Sequence, residues 1–294
     1  MKLLDLNSDV VKYIIYFLDY NHLYVLFETS KKFKNYIIEI KKFIDNGNKY
    51  IPKYIKFKSP HISFVVQSLN LIEWAKSHST FKYSEKYTHV YASKTNDIDI
   101  IKYLYKDNIK YDKTLMMEAA KNGNKDLLKW GLNKGLTINN EISAEACGYG
   151  DLKIIKWMLK KYDETLFDVL SWNKAAENGN LNVLKFLFEN CSNKFDSDIF
   201  YYTTRGGNMK CLKYLFDLSI HDLSLPFWNL SAYYGAIENG NLRMFKWLKK
   251  HSCPCDSRIL YKAMEYDKIC IFKWATENGC EMDDKLKIFF KSIR

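Results

Sequence analysis

A short unit recurs along most of this chain of 294 residues, and it constrains the fold more than any other feature of the sequence. The segments AAKNGNKDLLKW, AAENGNLNVLKF and AIENGNLRMFKW show it directly. When the units are aligned on the residue that opens their second half, called here the register residue, eight copies follow at intervals of 29, 27, 27, 29, 28, 33 and 27 residues. Repeats of this kind indicate stacked units that cover one another. The register residues are Ser68, Asp97, Asn124, Asp151, Asn180, Asn208, Asn241 and Lys268.

Each unit is predicted to form two helices that meet at the register residue. Seven register residues are Asn, Asp or Ser, whose side chains accept hydrogen bonds from the free N–H groups at a helix start. The residue before them is Gly in five units, and Gly commonly ends a helix in the left-handed conformation. We therefore expect a helix, a reversal, and a second helix. These glycines are Gly123, Gly150, Gly179, Gly207 and Gly240.

Two further positions carry the same type of side chain in all eight units. Five residues before the register residue the side chain is small, which lets two helix backbones approach closely. Six residues after it the side chain is aromatic, and we expect these rings to be mostly buried. The small residues are Ser63, Ala92, Ala119, Ala146, Ala175, Thr203, Ala236 and Ala263. The aromatic residues are Trp74, Tyr103, Trp130, Trp157, Phe186, Tyr214, Trp247 and Trp274.

The second helix of each unit is predicted to be apolar over a wide arc. In the fifth unit, for example, positions 1, 3, 4, 6 and 7 after the register residue are Leu181, Val183, Leu184, Phe186 and Leu187, and these positions cover roughly 220° of the helix. Position 5 is Lys in seven units, and we interpret this row as a solvated face without exposed aromatic residues between its lysines. Nucleic acid is accordingly not the expected partner. The row comprises Lys102, Lys129, Lys156, Lys185, Lys213, Lys246 and Lys273.

Composition agrees with an all-α chain. Hydrophobic residues make up 47% of it, and only 12 Gly and 4 Pro interrupt it. No run of 18 apolar residues predicts a membrane span. Charges at Asp5, Asp9 and Lys12 argue against a secretory signal, so we expect an intracellular protein of the cytoplasm or nucleus. The predicted fold is a helical-repeat solenoid of about eight helix pairs.

The order of the conserved positions within the unit resembles the helix pair of the ankyrin repeat. The shared elements are the small residue, Gly-Asn, and then Leu-x-Leu-Leu-Lys-aromatic-Leu, and the resemblance covers about residues 61–285. Most units are shorter than an ankyrin unit, as in the ankyrin proteins of giant DNA viruses and some amoebae. If the source is viral, the compartment is that of the host cell. The resemblance implies a protein-binding module that is not an enzyme and needs no cofactor.

Similarity to ankyrin proteins also implies which residues contact a partner. Positions 7, 3 and 2 before the register residue should line the concave side of the stack. Tyrosine is frequent among them, and it is favoured at interface hot spots because it brings a large area and a polar tip. The residues are Lys94, Met117, Lys121, Tyr149, Asn173, Glu177, Tyr201, Arg205, Tyr234, Glu238, Tyr261 and Glu265.

The first 45 residues do not fit the repeat and resemble the F-box, a three-helix motif that docks on the Skp adaptor of cullin ubiquitin ligases. The resemblance implies that the adaptor-binding residues are Leu6, Val10, Ile14, Leu18, Leu23 and Leu26. An alternative interpretation is a polar-edged cap that shields the first repeat. The predicted division of the chain is 1–45 F-box-like or cap, 46–60 basic linker, 61–285 repeats and 286–294 tail.

The predicted function is therefore recruitment of a protein target to a cullin-type ligase. Alternatives are a plain ankyrin-type binding protein and, with less support, a basic solenoid that binds nucleic acid. No Gly-rich phosphate loop, G-x-S-x-G or H-E-x-x-H sequence indicates an enzyme. His251, Cys253 and Cys255 form the one suggestive cluster, but Cys-Pro-Cys lacks the spacing of a zinc site, and no metal is predicted.

Overall fold

The structure is a computed structural model in which two compact units divide the chain between Asp112 and Lys113, and each unit is described by itself. The predicted N-terminal segment 1–45, the linker 46–60 and the register residue Ser68 lie outside the described residues. So do Leu6, Val10, Ile14, Leu18, Leu23 and Leu26. The described residues are 69, 72–73, 85–106, 108–192 and 194–292.

Fifteen α-helices and one 3-10 turn, Glu164–Leu166, form the regular structure of the described residues, which include no strand. In the first unit, α1 is Glu85–Thr95 and α2 is Ile98–Lys106. In the second unit the helices are α3 Lys113–Lys121, α4 Lys125–Asn133, α5 Asn140–Tyr149, α6 Leu152–Lys161, α7 Val169–Glu177, α8 Leu181–Asn190, α9 Ile199–Arg205, α10 Met209–His221, α11 Ser231–Asn239, α12 Leu242–Lys250, α13 Arg258–Glu265, α14 Ile269–Glu277 and α15 Asp284–Ser292. The all-helical prediction is confirmed for this part of the chain.

The predicted start of the second helix is confirmed in every described repeat, since a helix begins directly after each of the seven register residues. Five of these residues accept from the N–H groups of the first turn, for example Asn124 Oδ1 from Leu127 N at 3.0 Å. Asn180 differs, because its Nδ2 instead donates to the carbonyl oxygens of Cys147 (2.9 Å) and Gly148 (2.7 Å) in the preceding repeat. This amide links two repeats.

The reversal between the helices uses the left-handed conformation, as the glycines predicted. Gly150, for example, has φ 92° and ends α5. In the two described repeats that lack this glycine, Asn96 (φ 55°) and Asp267 (φ 52°) take its place in the same conformation. Asn and Asp tolerate positive φ better than other residues with a side chain. The backbone is thus the same although the residue differs.

The first helices of successive repeats pack side by side in the second unit. Contacts join α3 to α5, α5 to α7, α7 to α9, α9 to α11 and α11 to α13. The small residue predicted to permit this approach is buried in all seven described repeats. In four of these repeats its carbonyl oxygen also accepts from the N–H of the register residue, as between Ala175 and Asn180 at 2.8 Å. One position therefore serves both helix packing and the turn.

None of the seven described rings of the aromatic row is exposed, which agrees with the prediction, but all are half-buried and none is fully enclosed. Positions 3, 4 and 7 after the register residue are buried in the described second helices, as at Val183, Leu184 and Leu187, with the half-buried Phe272 as the one exception. At 100° per residue these positions span about 100°, whereas position 6 lies about 60° beyond the edge of that arc. The ring consequently packs at the edge of the core.

The first unit has its own small core. Ile72, Ala92, Ile100, Leu104 and Ile109 are buried together. This core packs the side of α1 that carries the small residue against the apolar face of α2. The packing of α1 against α2 agrees with the helix pair predicted for each repeat, and the first unit contains one described pair of this kind.

Helix α15 continues regular structure past residue 285, where the sequence placed the end of the repeats. The predicted domain boundaries and the assembly of all repeats into one curved solenoid stay predictions. No described helix combines the length and the apolar character that a membrane crossing requires.

Candidate partner-binding face

The predicted contact residues lie on the first helices. Lys94 is exposed on α1 in the first unit. The other eleven lie on α3, α5, α7, α9, α11 and α13 of the second unit, and we call these eleven the first-helix face. Asn173 is the exception in exposure: it is only 6% exposed, and its Oδ1 has no hydrogen-bond partner among the described residues. The exposed members of the second unit are Lys121, Tyr149, Tyr261 and Glu265, and the half-buried ones are Met117, Glu177, Tyr201, Arg205, Tyr234 and Glu238.

A continuous set of polar contacts crosses four successive first helices. Arg205 on α9 donates through Nε (2.9 Å) and also through Nη2 to Glu177 Oε1 on α7. Its Nη1 donates to the hydroxyl of Tyr201 at 3.3 Å, and that hydroxyl donates to Glu238 Oε2 on α11 at 2.8 Å. Lys262 Nζ on α13 lies 3.6 Å from Glu238 Oε1. We call these five residues the polar chain.

The polar chain fixes the orientation of its members more than it stabilises the fold. Hydrogen bonds to Glu177 raise the pKa of Arg205 above its usual range, so the guanidinium stays charged. Burial, and then the hydrogen bond to Glu238, raise the pKa of Tyr201, so its hydroxyl stays protonated and can donate. Ion pairs of partly exposed groups contribute little to stability. Their ordered geometry is what a partner would meet.

Close approach of α9 and α11 brings the members of the polar chain together. A Cβ added to Gly235 would lie 2.3 Å from Tyr201 O, 2.3 Å from Thr204 Oγ1 and 2.7 Å from Arg205 N. Only glycine leaves room for the backbone of α9 at this distance. Gly235 therefore sets the spacing between Tyr201 and Glu238 on the neighbouring helix.

Two tyrosines stand out from the face beside the polar chain. The side chain of Tyr149 is 51% exposed, and its ring lies over Gly123, where an added Cβ would come within 2.0 Å of Tyr149 Cε1. Tyr261 is 40% exposed, and its hydroxyl donates to the carboxylate of Asp283 at 2.9 Å. Each ring therefore has a defined place with a large area open to solvent.

Lys262 belongs to the polar chain although the sequence prediction did not include it. It lies six residues before its register residue, and the same position carries Glu145 and Lys174 in two adjacent repeats, whose Oε1 and Nζ are 3.1 Å apart. Opposite charges at one offset of neighbouring repeats were the signal that could have found this position. The charged part of the face is wider than predicted.

The lysine row of the second helices makes contacts that the sequence prediction missed. In three cases the Nζ of a lysine lies over the half-buried ring of the next repeat. The pairs are Lys156 with Phe186 (5.6 Å to the ring centroid), Lys185 with Tyr214 (5.8 Å) and Lys246 with Trp274 (5.4 Å). Such contacts attract a cation to the ring face. The row thus also joins successive repeats, while its lysines remain exposed.

Neither face shows a metal site. Among the described residues, no three His, Cys, Asp or Glu side chains are grouped so that they could hold a metal ion. What the first-helix face offers chemically is ordered hydrogen-bond donors and acceptors with two protruding aromatic rings.

Comparisons with known proteins add little to this geometry. No protein-family model matches the sequence, and no curated protein matches it. Crystal structures of the pentatricopeptide repeat protein PPR10 in complex with an 18-nt psaJ RNA element, one of them a cysteine-substituted form, align at 10% identity with a TM-score of 0.41. The alignments cover 94% of this chain and 49% of the other, so the chain spans about half the length of the solved structures it matches. This TM-score does not establish a shared fold.

Proposed function

We propose that the chain is a binding protein that holds a protein target on its first-helix face and, through its N-terminal residues, joins that target to a cullin-type ubiquitin ligase. The repeats are proposed to be of the ankyrin type. The proposal has two separable parts, the target-binding face and the N-terminal adaptor-binding motif, and they rest on different observations.

The polar chain is the observation that carries the first part. Direct hydrogen bonds across three repeats hold Glu177, Tyr201, Arg205 and Glu238 in place. Groups that are ordered before binding lose less conformational entropy when a partner arrives. Tyr149 and Tyr261 add exposed aromatic rings, each with a polar hydroxyl at its tip. Tyrosine is one of the residues enriched at interface hot spots. A protein surface with complementary charge fits this combination.

The adaptor part rests on the sequence alone. Leu6, Val10, Ile14 and Leu18 recur at a spacing of four residues, which places them on one side of a helix. In an F-box, part of this apolar stripe stays exposed and can bind the Skp adaptor. In a cap, the whole stripe would be buried against the first repeat. The two readings differ in what the protein retrieves from a cell.

Affinity capture from a eukaryotic extract tests both parts at once. We expect the full chain to retrieve the Skp adaptor and a cullin together with its target. Deletion of residues 1–40 should remove the adaptor and the cullin and leave the target. Tyr149→Ala should lower target recovery by about tenfold, the usual effect of losing an aromatic hot spot, and leave adaptor recovery unchanged. Quantitative mass spectrometry of the captured proteins gives both readouts.

Tyr105→Ala is the matched control, because Tyr105 is also an exposed tyrosine (38%) but lies on the second helix α2. Equal loss of target in the two variants would contradict the assignment of the first-helix face. If the intact chain retrieves no adaptor and the truncated chain aggregates, the N-terminal segment is a cap and the protein is a plain ankyrin-type binder.

Nucleic acid is a second candidate partner, and one observation favours it. The lysines of the row are exposed, and half-buried aromatic rings lie between them, as Phe186 lies under Lys156. Lysines beside partly open rings are a feature of surfaces that bind single-stranded nucleic acid. The net charge of +11 is of the right sign.

Fluorescence anisotropy with a labelled single-stranded RNA separates the candidates. For a protein-binding repeat we expect a Kd weaker than about 1 µM at physiological salt, as for non-specific attraction to phosphates. Lys156→Gln with Lys185→Gln should weaken even this binding. Lys121→Gln is the control, because Lys121 is exposed on a first helix, α3, and does not belong to the row. If the unmodified protein binds the RNA with a Kd well below that value, and the double variant loses this binding, a nucleic-acid function would be favoured.

A further inference from the structure

Two cysteine thiols from successive repeats meet near the end of the second unit. Cys255 lies in the loop between α12 and α13, and Cys280 lies in the loop between α14 and α15. Their Sγ atoms are 3.5 Å apart. The Nζ of Lys249 donates to Cys255 Sγ at 3.0 Å. We call these three residues the thiol site, and it is independent of the proposed function.

The position of Cys255 explains why the contact forms between repeats. Cys253 and Cys280 occupy equivalent places, twelve residues after their register residues, and the N–H of each donates back to its own second helix (3.1 Å to Leu248 O and 3.0 Å to Ala275 O). Cys255 follows two residues later, beyond Pro254, and reaches forward to the next repeat. Cys253 instead has its Sγ 3.5 Å from Asn229 O on the other side.

The two thiols differ in ways that suit successive roles. Cys255 is half-buried, so a small reagent can reach its sulfur, whereas Cys280 is only 3% exposed. Burial raises the pKa of Cys280 to about 12, so it is a protonated thiol at neutral pH. The hydrogen bond to Cys255 raises the pKa of Lys249, which keeps a positive charge beside the sulfur. A cation next to a cysteine favours attack by its thiolate form.

We propose that Cys255 and Cys280 are a redox pair that forms a reversible disulfide between the last two described helix pairs. Cys255 thiolate attacks one sulfur of a low-molecular-weight disulfide such as oxidised glutathione and releases one glutathione thiolate. Cys280 then loses its proton to solvent and attacks Cys255 Sγ, which releases the second glutathione thiolate. The protein loses two electrons and two protons, and the glutathione disulfide gains the two electrons.

Geometry permits the bond without disturbing a helix. A disulfide needs its sulfurs about 2 Å apart, so they must approach by roughly 1.5 Å, and both residues lie outside helices. The closed loop would contain α13 and α14. Closing a loop restricts the unfolded chain and so stabilises the part it encloses. The oxidised form should hold the terminal repeat more firmly than the reduced form.

The test uses the full chain, reduced and then incubated with oxidised glutathione, alkylated, and analysed by intact mass and peptide mapping. We expect a species that lacks two hydrogen atoms, with the peptide containing Cys255 joined to the peptide containing Cys280. Cys255→Ser should abolish this link, and Cys253→Ser, two residues away, should keep it. Lys249→Gln should slow its formation several-fold. A reductant should reverse the link.

Cys270 serves as an internal control, because it is exposed and can report general reactivity. The proposal fails if Cys270 takes up glutathione while the link between Cys255 and Cys280 stays absent from the unmodified sequence. It also fails if the link forms equally in Cys255→Ser, since the peptide would then be joined through Cys253. The measurement on the unmodified sequence decides the question even if a variant does not fold.

Discussion

Replacement of Trp172 by alanine is expected to lower the free energy of unfolding by about 3–5 kcal/mol, the largest effect of any single change considered for the repeats. Trp172 lies on α7 and is fully buried. Its ring packs against Phe195 with the ring centroids 5.3 Å apart. Helix α7 contacts both α5 and α9, so the cavity would open where three first helices meet. Urea unfolding followed by circular dichroism measures the change.

Trp157→Ala is the matched control for this prediction. It removes the same side chain from a half-buried site on a second helix, where Lys125 Nζ lies 5.6 Å from the ring centroid. Because the loss scales with the apolar area removed from water, we expect about half the effect. Equal destabilisation by the two variants would contradict the burial seen in the structure. Coupling between nearest neighbours can also broaden the transition beyond two states.

A single added methyl group at Gly235 should cost about 2–3 kcal/mol, although alanine is the better helix former. The new Cβ would meet the backbone of α9, which cannot move as a side-chain tip can. The shift would separate Tyr201 from Glu238, so we also expect a loss of target similar to that expected for Tyr149→Ala. Thermal unfolding and affinity capture of the same variant give the two readouts.

Gly148→Ala tests whether the cost at Gly235 arises from the contact or from the loss of a helical glycine. Gly148 is also inside a first helix, but its added Cβ would meet only the Nδ2 of Asn178, at 3.2 Å, and the side chain of Lys174. Both neighbours are flexible side chains, so we expect a change below about 1 kcal/mol in the stabilising direction. Destabilisation of similar size at both glycines would show that close packing is not the cause.

The sequence by itself determined where the helices begin and end. The signals are a side chain that accepts hydrogen bonds and a preceding glycine. Both act within one repeat, through local hydrogen bonds and backbone conformation. Such effects recur with the same residue types, so alignment of the copies exposes them. The second helices that begin after Asn124, Asp151 and Asn208 were predictable for this reason.

Only the tertiary structure decided which side chains fill the space between repeats. Eight residues before the register residue the side chain is fully buried in the second unit, yet it is Met116, Ser143, Trp172, Phe200, Tyr233 or Leu260. These sizes differ because each fills the gap left by its particular neighbours, and close packing depends on volume rather than residue type. Because no residue type is common to this position, an alignment of the repeats does not identify it.

The same reason applies to the binding face and to the aromatic row. Arg205 meets Glu177, and Lys156 meets Phe186, only because adjacent repeats bring them within reach. The repeat pattern in the sequence specifies each helix pair. The contacts between helix pairs are set by how the pairs pack, and partner binding would depend on those contacts.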